Sequence, residues 1–342
     1  MQSFKLYGLT TLFIAICGVW VMLIHAQQPN DGLWADFYAI YRGGQALFNG
    51  ENPYGAEVTA ELIREWEVAF AEAGIAYPLP AVVGVLPLLL FPLPIAAILW
   101  VIFGTAGSFA AIRLRDDWQT LIFLPLCFMP LHRAITMKQA TLIWFALVII
   151  LIFAMRDRRA WLVGLCVVLL PAKPQVGLLF ALAGGIWALR EHRSTIPWIC
   201  GWGALIWGGS FLFQPDWVQE WLISLERYNQ VVHTASLFPW GLILLAATWR
   251  LPWYAQLGAA QVVLFPLADV YAGLPLLLVW VAIGGPIAII GSSLSWLWVI
   301  AGLPNNIVVF GASVVAPLAV CAAFHSFDTW RSRSIATEGQ VS

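Results

Sequence analysis

The sequence predicts an all-α polytopic membrane protein, a bundle of about 12 transmembrane helices with 10 as the alternative count. Three observations carry this. Of 342 residues, 61% are apolar and 10% are charged, against about 45–50% and about 25% in an average soluble domain. Mean hydropathy is +0.83. The apolar residues also fall in long runs rather than in the alternating ten-residue segments of a β-barrel. Cytosolic enzymes, disordered chains and disulfide scaffolds are excluded together. The 5 cysteines all sit inside apolar runs with no CxxC or Cys/His spacing, as small buried hydrophobes do. No basic stretch suits a nucleic-acid partner.

The spans are expected at 6–24, 94–112, 118–131, 139–155, 161–172, 174–189, 196–213, 237–249, 254–268, 270–285, 286–303 and 305–325. The first follows Lys5 and reads as a retained helix, being longer than a signal h-region and lacking a clear cleavage site. Basic residues punctuate alternate loops: Arg113/Arg115, Arg156/Arg158/Arg159, Arg190/Arg193, Arg250 and Arg331/Arg333. By the positive-inside rule these loops, both termini and a tail at 327–342 are cytoplasmic, in a multi-pass protein of the plasma membrane. That division turns a formal net charge of −1 into +5 inside and −6 outside. The turn at Gly284-Gly285-Pro286 carries no basic residue of its own, so the C-terminal third is the least constrained. Several spans fall short of the ~20 residues that a bilayer core requires, which suits irregular backbone lining a cavity.

Two extracytoplasmic loops are too long to be connectors. In 25–77, the segment 57–73 places Val58, Leu62, Trp66 and Phe70 four residues apart, predicting a surface-lying helix. The apolar run 79–90 is too short to cross alone and reads as a re-entrant or tilted helix. In 214–236, Trp217, Trp221 and Leu225 repeat the four-residue spacing. No long cytoplasmic segment exists between spans, so 1–342 reads as a single membrane domain whose chemistry lies outside or within the bilayer.

Asp36 opens the segment ADFYAIYRGGQALFNGENPYG, with Phe37, Tyr38 and Tyr41 beside it. It suits a helix N-cap, and equally a general base for an alcohol; the two roles are compatible. The cations Arg133, Lys138 and Lys173 sit near outer span ends, where they suit either a phosphate or snorkelling to headgroups. Pro171 and Pro174 break the helix around Lys173, which favours a cavity there. Arg42 could pair with Asp36 or a phosphate. His132 reads as interfacial. His233 lies in the second large loop, where a surface histidine facing water is the default. Asp269 is either an intramembrane acid or a turn residue. A divalent cation is possible but not indicated, because no DxD is present; Asp31 and Asp36 could share an ion, though only as a lone pair of carboxylates. Asp116-Asp117 reads as a solvated cytoplasmic turn.

Asp36-Phe37, then Asn49-Gly50-Glu51-Asn52-Pro53-Tyr54, then Tyr77-Pro78 ahead of an apolar run, resembles glycosyltransferase family 87. So do Gln139 heading a span, the Arg156-Asp157-Arg158-Arg159 turn and Leu169-Leu170-Pro171-Ala172-Lys173-Pro174-Gln175. The likeness covers residues 30–190, with hydropathy alone beyond, and departs at Lys138, where the family commonly has Gly before Gln. The resemblance implies a GT-C-type bundle that moves a hexose, mannose first among them, from a polyprenyl-phosphate donor to a glycolipid or glycan acceptor within membrane lipid. It implies Asp36 as the base, no cofactor, and Lys173, Arg133, Lys138 and Arg42 about the donor phosphate. Tyr41, Tyr54, Tyr77, Gln139 and His233 would then line the substrate loops. A transporter or lipid flippase, or a non-catalytic scaffold, are the competing readings; the chain shows no half-to-half repeat of the kind transporters carry.

Overall fold

The computed structural model describes residues 35–66, 71–303 and 306–338. The expected first span 6–24, Asp31 and the Phe70 end of the first amphipathic helix lie outside the described residues. Among the described residues the regular elements are helical, and Ala235 and Leu267 form an isolated antiparallel bridge.

Three helices are long and apolar enough to cross a bilayer: Leu93–Leu114, Arg193–Phe213 and Ile307–Asp328. Each corresponds to an expected span. The first starts where Pro92 and Pro94 leave only extended or first-turn conformations available. One face is buried and, apart from Trp100, small: Ala96, Ala97, Gly104, Ser108 and Ala111. The opposite face exposes Ile95, Ile98, Leu99, Ile102 and Phe103, as a lipid-facing stripe should. The small face lets the helix close onto Thr141–Arg156. A Cβ built on Gly104 would lie 2.4 Å from Leu142 Cβ, and one on Gly107 would lie 2.5 Å from Ala146 Cα. Backbones that approach this closely admit only glycine.

Among the described residues, Trp118–Cys127, Thr141–Arg156, Ala160–Ala172, Pro174–Arg190 and Val270–Ile283 are shorter apolar helices at expected spans, and some are broken. Residues 118–131 divide into Trp118–Leu121, Leu124–Cys127 and the start of Met129–Thr136. Pro125 and Pro130 each open a new first turn, and Phe128 between them is extended. Thr141–Arg156, at 16 residues, rises only about 24 Å at 1.5 Å per residue. Its neighbours bury 10 of those residues, so protein rather than lipid surrounds most of it. Val270–Ile283 is buried at every position and forms the axis of the bundle. Hydropathy cannot separate a helix buried in protein from one bathed in lipid, and the count of 12 blurs for that reason.

Arg115 supplies the charge that the Gly284 turn lacks. Its guanidinium donates to Ala282 O at 2.8 Å and to Asp117 at 2.6 Å. Gly284 has φ +71°, and a Cβ there would meet the Arg115 guanidinium at 2.5 Å. The turn therefore sits with the Arg113/Arg115 cluster, and Asp269 lies at the far end of the same helix, beside Arg133.

Candidate active site

The two amphipathic segments are joined at the Asp36 end of the bundle by residues 71–76 and the Tyr54 turn, which pack against both. The first is Ala56–Trp66, with Val58 and Leu62 buried. The second is Trp217–Val231, with Trp217 buried. Trp221 Nε1 donates to Ala76 O at 2.9 Å, and Ser224 Oγ donates to Ile75 O at 2.9 Å. Arg227 donates to Tyr54 O at 3.2 Å, and the Tyr54 hydroxyl donates to Tyr77 O at 2.8 Å. The Asn52-Pro53-Tyr54 turn joins the same seam, because Asn52 Oδ1 accepts from Tyr54 N at 2.9 Å and from Gln214 Nε2 at 3.0 Å. These contacts hold Tyr77 over a cavity of about 340 Å³.

Asp36, Tyr77, Arg133, Gln139, Lys173, Tyr228, Asp269 and Tyr271 line that cavity. Asp36 lies in the first turn of Ala35–Phe48, one residue inside the helix. A carboxylate suits the positive end of the helix dipole there. Its amide donates to Met137 O at 3.0 Å. Gln139 stands at the centre, buried: its Nε2 donates to Asp36 Oδ2. Its Oε1 accepts from Lys173 Nζ at 3.0 Å and from the Tyr77 hydroxyl at 3.2 Å. Lys173 Nζ also lies 5.2 Å from the Tyr77 ring centroid, within cation–π range. The amide orientation follows from charge, since its donor faces a carboxylate and its acceptor an ammonium.

Backbone geometry explains how these side chains converge. Lys173 caps Pro174–Arg190, and the buried Gln261 clamps that helix start by donating to Pro174 O at 2.7 Å and accepting from Leu179 N at 3.0 Å. Gln139 is aimed by the end of Met129–Thr136. Lys138 N donates to Ile135 O at 3.1 Å and Gln139 N to Ala134 O at 2.9 Å, with Lys138 at φ +47°. That is a Schellman ending with a lysine where glycine is favoured. Across the cavity, Arg133 pairs with Asp269, Nη2 to Oδ2 at 3.0 Å and Nε to Oδ2 at 3.2 Å. Asp269 Oδ1 also caps the next helix through Val270 N.

Asp36 lies in none of the three bilayer-length helices. Burial pushes its carboxyl from 3.8 up to about 6, against the pull of Lys173 and Arg133 and of the Gln139 hydrogen bond, while Asp269 adds to the rise. A group placed so can take up a proton near neutral pH.

Four of the expected site residues, Asp36, Tyr77, Gln139 and Lys173, form one connected cluster, and Arg133 lines the same cavity. The others stand apart. Arg42 is 2.5 Å from Glu61 and 3.2 Å from Glu51 and does not reach Asp36, because two nearer carboxylates on its own surface claim it. The Tyr41 hydroxyl donates to Phe91 O at 3.0 Å. Tyr54 supports Tyr77 from behind. Lys138 is buried at its turn, and His233 is exposed beyond the second amphipathic helix; neither lines the cavity. His132 packs on Trp296, ring centroids 4.8 Å apart. Asp117 pairs with Arg115 at 2.6 Å in an exposed turn. Tyr228, Tyr271 and the Arg133–Asp269 pairing were not singled out from sequence. Among the described residues no three His, Cys, Asp or Glu gather as metal ligands would.

A family model, glycosyltransferase family 87, matches residues 76–322, more than half of the chain. The chain belongs to glycosyltransferase family 87. With bilayer-length apolar helices among its described residues, it is a membrane glycosyltransferase, with a sugar donor and an acceptor as its substrates. No curated protein and no solved structure shows significant similarity to it. The family 87 match takes in Tyr77, Arg133, Gln139, Lys173, Tyr228, Asp269 and Tyr271. Asp36 lies N-terminal to it, and the fold carries it into the same cavity.

The Schellman turn separates two roles for Lys138. The family-typical glycine would relieve left-handed strain, which costs a side-chain-bearing residue about 1–2 kcal/mol, although glycine gives part of this back in the unfolded chain. Lys138→Gly is expected to keep sugar transfer within about threefold and to leave the melting temperature in detergent unchanged or higher. A large rise in donor KM would instead place the Lys138 ammonium on the substrate phosphate.

Proposed function

We propose that this chain transfers a hexose, mannose first among candidates, from a polyprenyl-phosphate donor to a hydroxyl of a glycolipid or glycan at the extracytoplasmic face of the plasma membrane. The observation that carries the reading is the meeting of Asp36 and Lys173 on Gln139 in one cavity. Asp36 takes the proton of the acceptor hydroxyl as its oxygen attacks the anomeric carbon. The bond from that carbon to the phosphate oxygen breaks, and its electron pair leaves with the lipid phosphate. Lys173 meets the growing phosphate charge as a point ammonium, and Arg133, paired with Asp269, adds the planar fork of its guanidinium once the incoming phosphate displaces that carboxylate. Aromatic rings at Tyr77, Tyr228 and Tyr271 give the sugar faces to lie against. No step requires a metal.

A lipid-linked donor is consistent with a chain that has no long cytoplasmic segment between its apolar runs, since nucleotide sugars are cytoplasmic. In this reading both termini are cytoplasmic, the bundle is of GT-C type with about 12 spans, and the loops 25–77 and 214–236 close over the site. The test is transfer by the purified protein in proteoliposomes. Radiolabelled polyprenyl-phosphate mannose or glucose should be consumed with product formed on a glycolipid acceptor, while nucleotide sugars stay inert. Transfer from a nucleotide sugar, or substrate flux without a new glycosidic bond, would overturn the reading.

A further inference from the structure

The geometry points to Gln139 as a neutral spacer that holds the base and the phosphate-binding cation in contact with one amide and out of contact with each other. The inference rests on the proposed function and deepens it. Asp36 and Lys173 carry opposite charges in a buried site, where attraction between ions is strong. Left to meet, they would form a direct ion pair. The carboxylate would then be a poorer base, and the ammonium would have no charge left for a phosphate. Gln139 takes the place of that contact, giving its donor to Asp36 and its acceptor to Lys173.

Three features fix the spacer. The residue is buried, 3% exposed, so its amide is held by protein groups rather than by bulk water. The left-handed turn at Lys138 sets its direction. The Tyr77 hydroxyl, itself held in place by Tyr54, adds a second donor to the same Oε1. Among the described residues, the charged and titratable groups that act on Asp36 are Lys173, Asp269 and Arg133, with the phenols of Tyr77, Tyr228 and Tyr271, beside its hydrogen bond from Gln139. Gln139 touches neither reacting atom in the proposed step, which makes it a positioning residue.

Two substitutions of nearly equal length test this through shifts of opposite sign. Gln139→Met removes both polar ends and lets Asp36 and Lys173 close on each other. The acidic limb of kcat/KM is then expected to move down by roughly one pH unit, with donor KM raised about tenfold. Gln139→Glu keeps an acceptor for Lys173 but sets a second carboxylate against Asp36. Its acidic limb should move up by roughly one unit or more, as in paired carboxylates, with donor KM less affected. A merely structural glutamine would lower activity or stability in both variants without moving the limbs apart. Unchanged limbs, or shifts of the same sign, overturn the spacer. If instead the wild-type protein itself transfers no sugar from the polyprenyl-phosphate donor, the proposed function fails rather than the spacer, and the two failures are told apart.

Discussion

Asp36→Asn should abolish sugar transfer, lowering kcat by about 10³-fold or more, while the protein folds as well as before. A positioned base contributes typically 10²–10⁴-fold, and asparagine can fill the space without accepting the acceptor proton. Gln139 can keep its hydrogen bond, since its Nε2 donates and the new amide oxygen accepts. Stability should not fall. A carboxyl whose pKa rises on folding, here from 3.8 to about 6, binds protons more tightly in the native state. It therefore costs stability as pH rises through that window, and the cost persists above it. Removing the charge removes the cost, so the variant's melting temperature at neutral pH should equal or exceed the wild type's. Wild-type kcat/KM should fall with decreasing pH below about 6 as Asp36 takes up a proton, and level off above it. A variant that loses activity together with its fold would remove this support for the base.

Lys173→Met should produce the next largest loss, about 10²-fold in kcat/KM, the scale seen when one preorganised stabiliser of developing charge is removed. The loss should fall most on the chemical step, because the phosphate gains charge as the sugar departs. Lys173→Arg should recover only part of it. A planar guanidinium is wider than an ammonium, and the glutamine acceptor at 3.0 Å and the Tyr77 ring at 5.2 Å leave the head little freedom. The neighbouring Pro174 first turn, clamped by Gln261, should keep the variant folded. Burst kinetics with the lipid donor separate the chemical step from binding.

Much of this site is legible from residues taken one at a time. Asp36 stands out because a carboxylate among aromatics beyond an apolar run is costly without a purpose, and Lys173 because prolines break the helix on either side. The flaws have physical causes too. Arg42 looked available to Asp36, but Glu51 and Glu61 are reachable only once the first amphipathic helix has folded back. Lys138 looked like a phosphate ligand because the sign of a backbone dihedral is invisible in composition; its departure from the family's glycine marked a left-handed turn. The Arg133–Asp269 pairing spans 136 residues, and no local spacing signals it. At the level of the fold, hydropathy located the apolar helices and the two amphipathic loops. It overstated the regularity of 118–131, where Pro125 and Pro130 restart the helix within the apolar run. The C-terminal turn at Gly284 lacked a charge in its own sequence because Arg115 supplies one from a distant loop.

The central claim is that Asp36 and Lys173 act on one bound sugar phosphate from opposite ends of a single amide. A structure of the protein in lipid nanodiscs, with a polyprenyl C-glycosyl phosphonate that cannot transfer its sugar, tests it most directly. The account predicts the phosphonate oxygens within hydrogen-bond distance of Lys173, the anomeric carbon facing the Asp36 carboxylate, and Gln139 still between the two. An analogue bound elsewhere, or a phosphonate held away from Lys173 with Asp36 turned from the sugar, would contradict it.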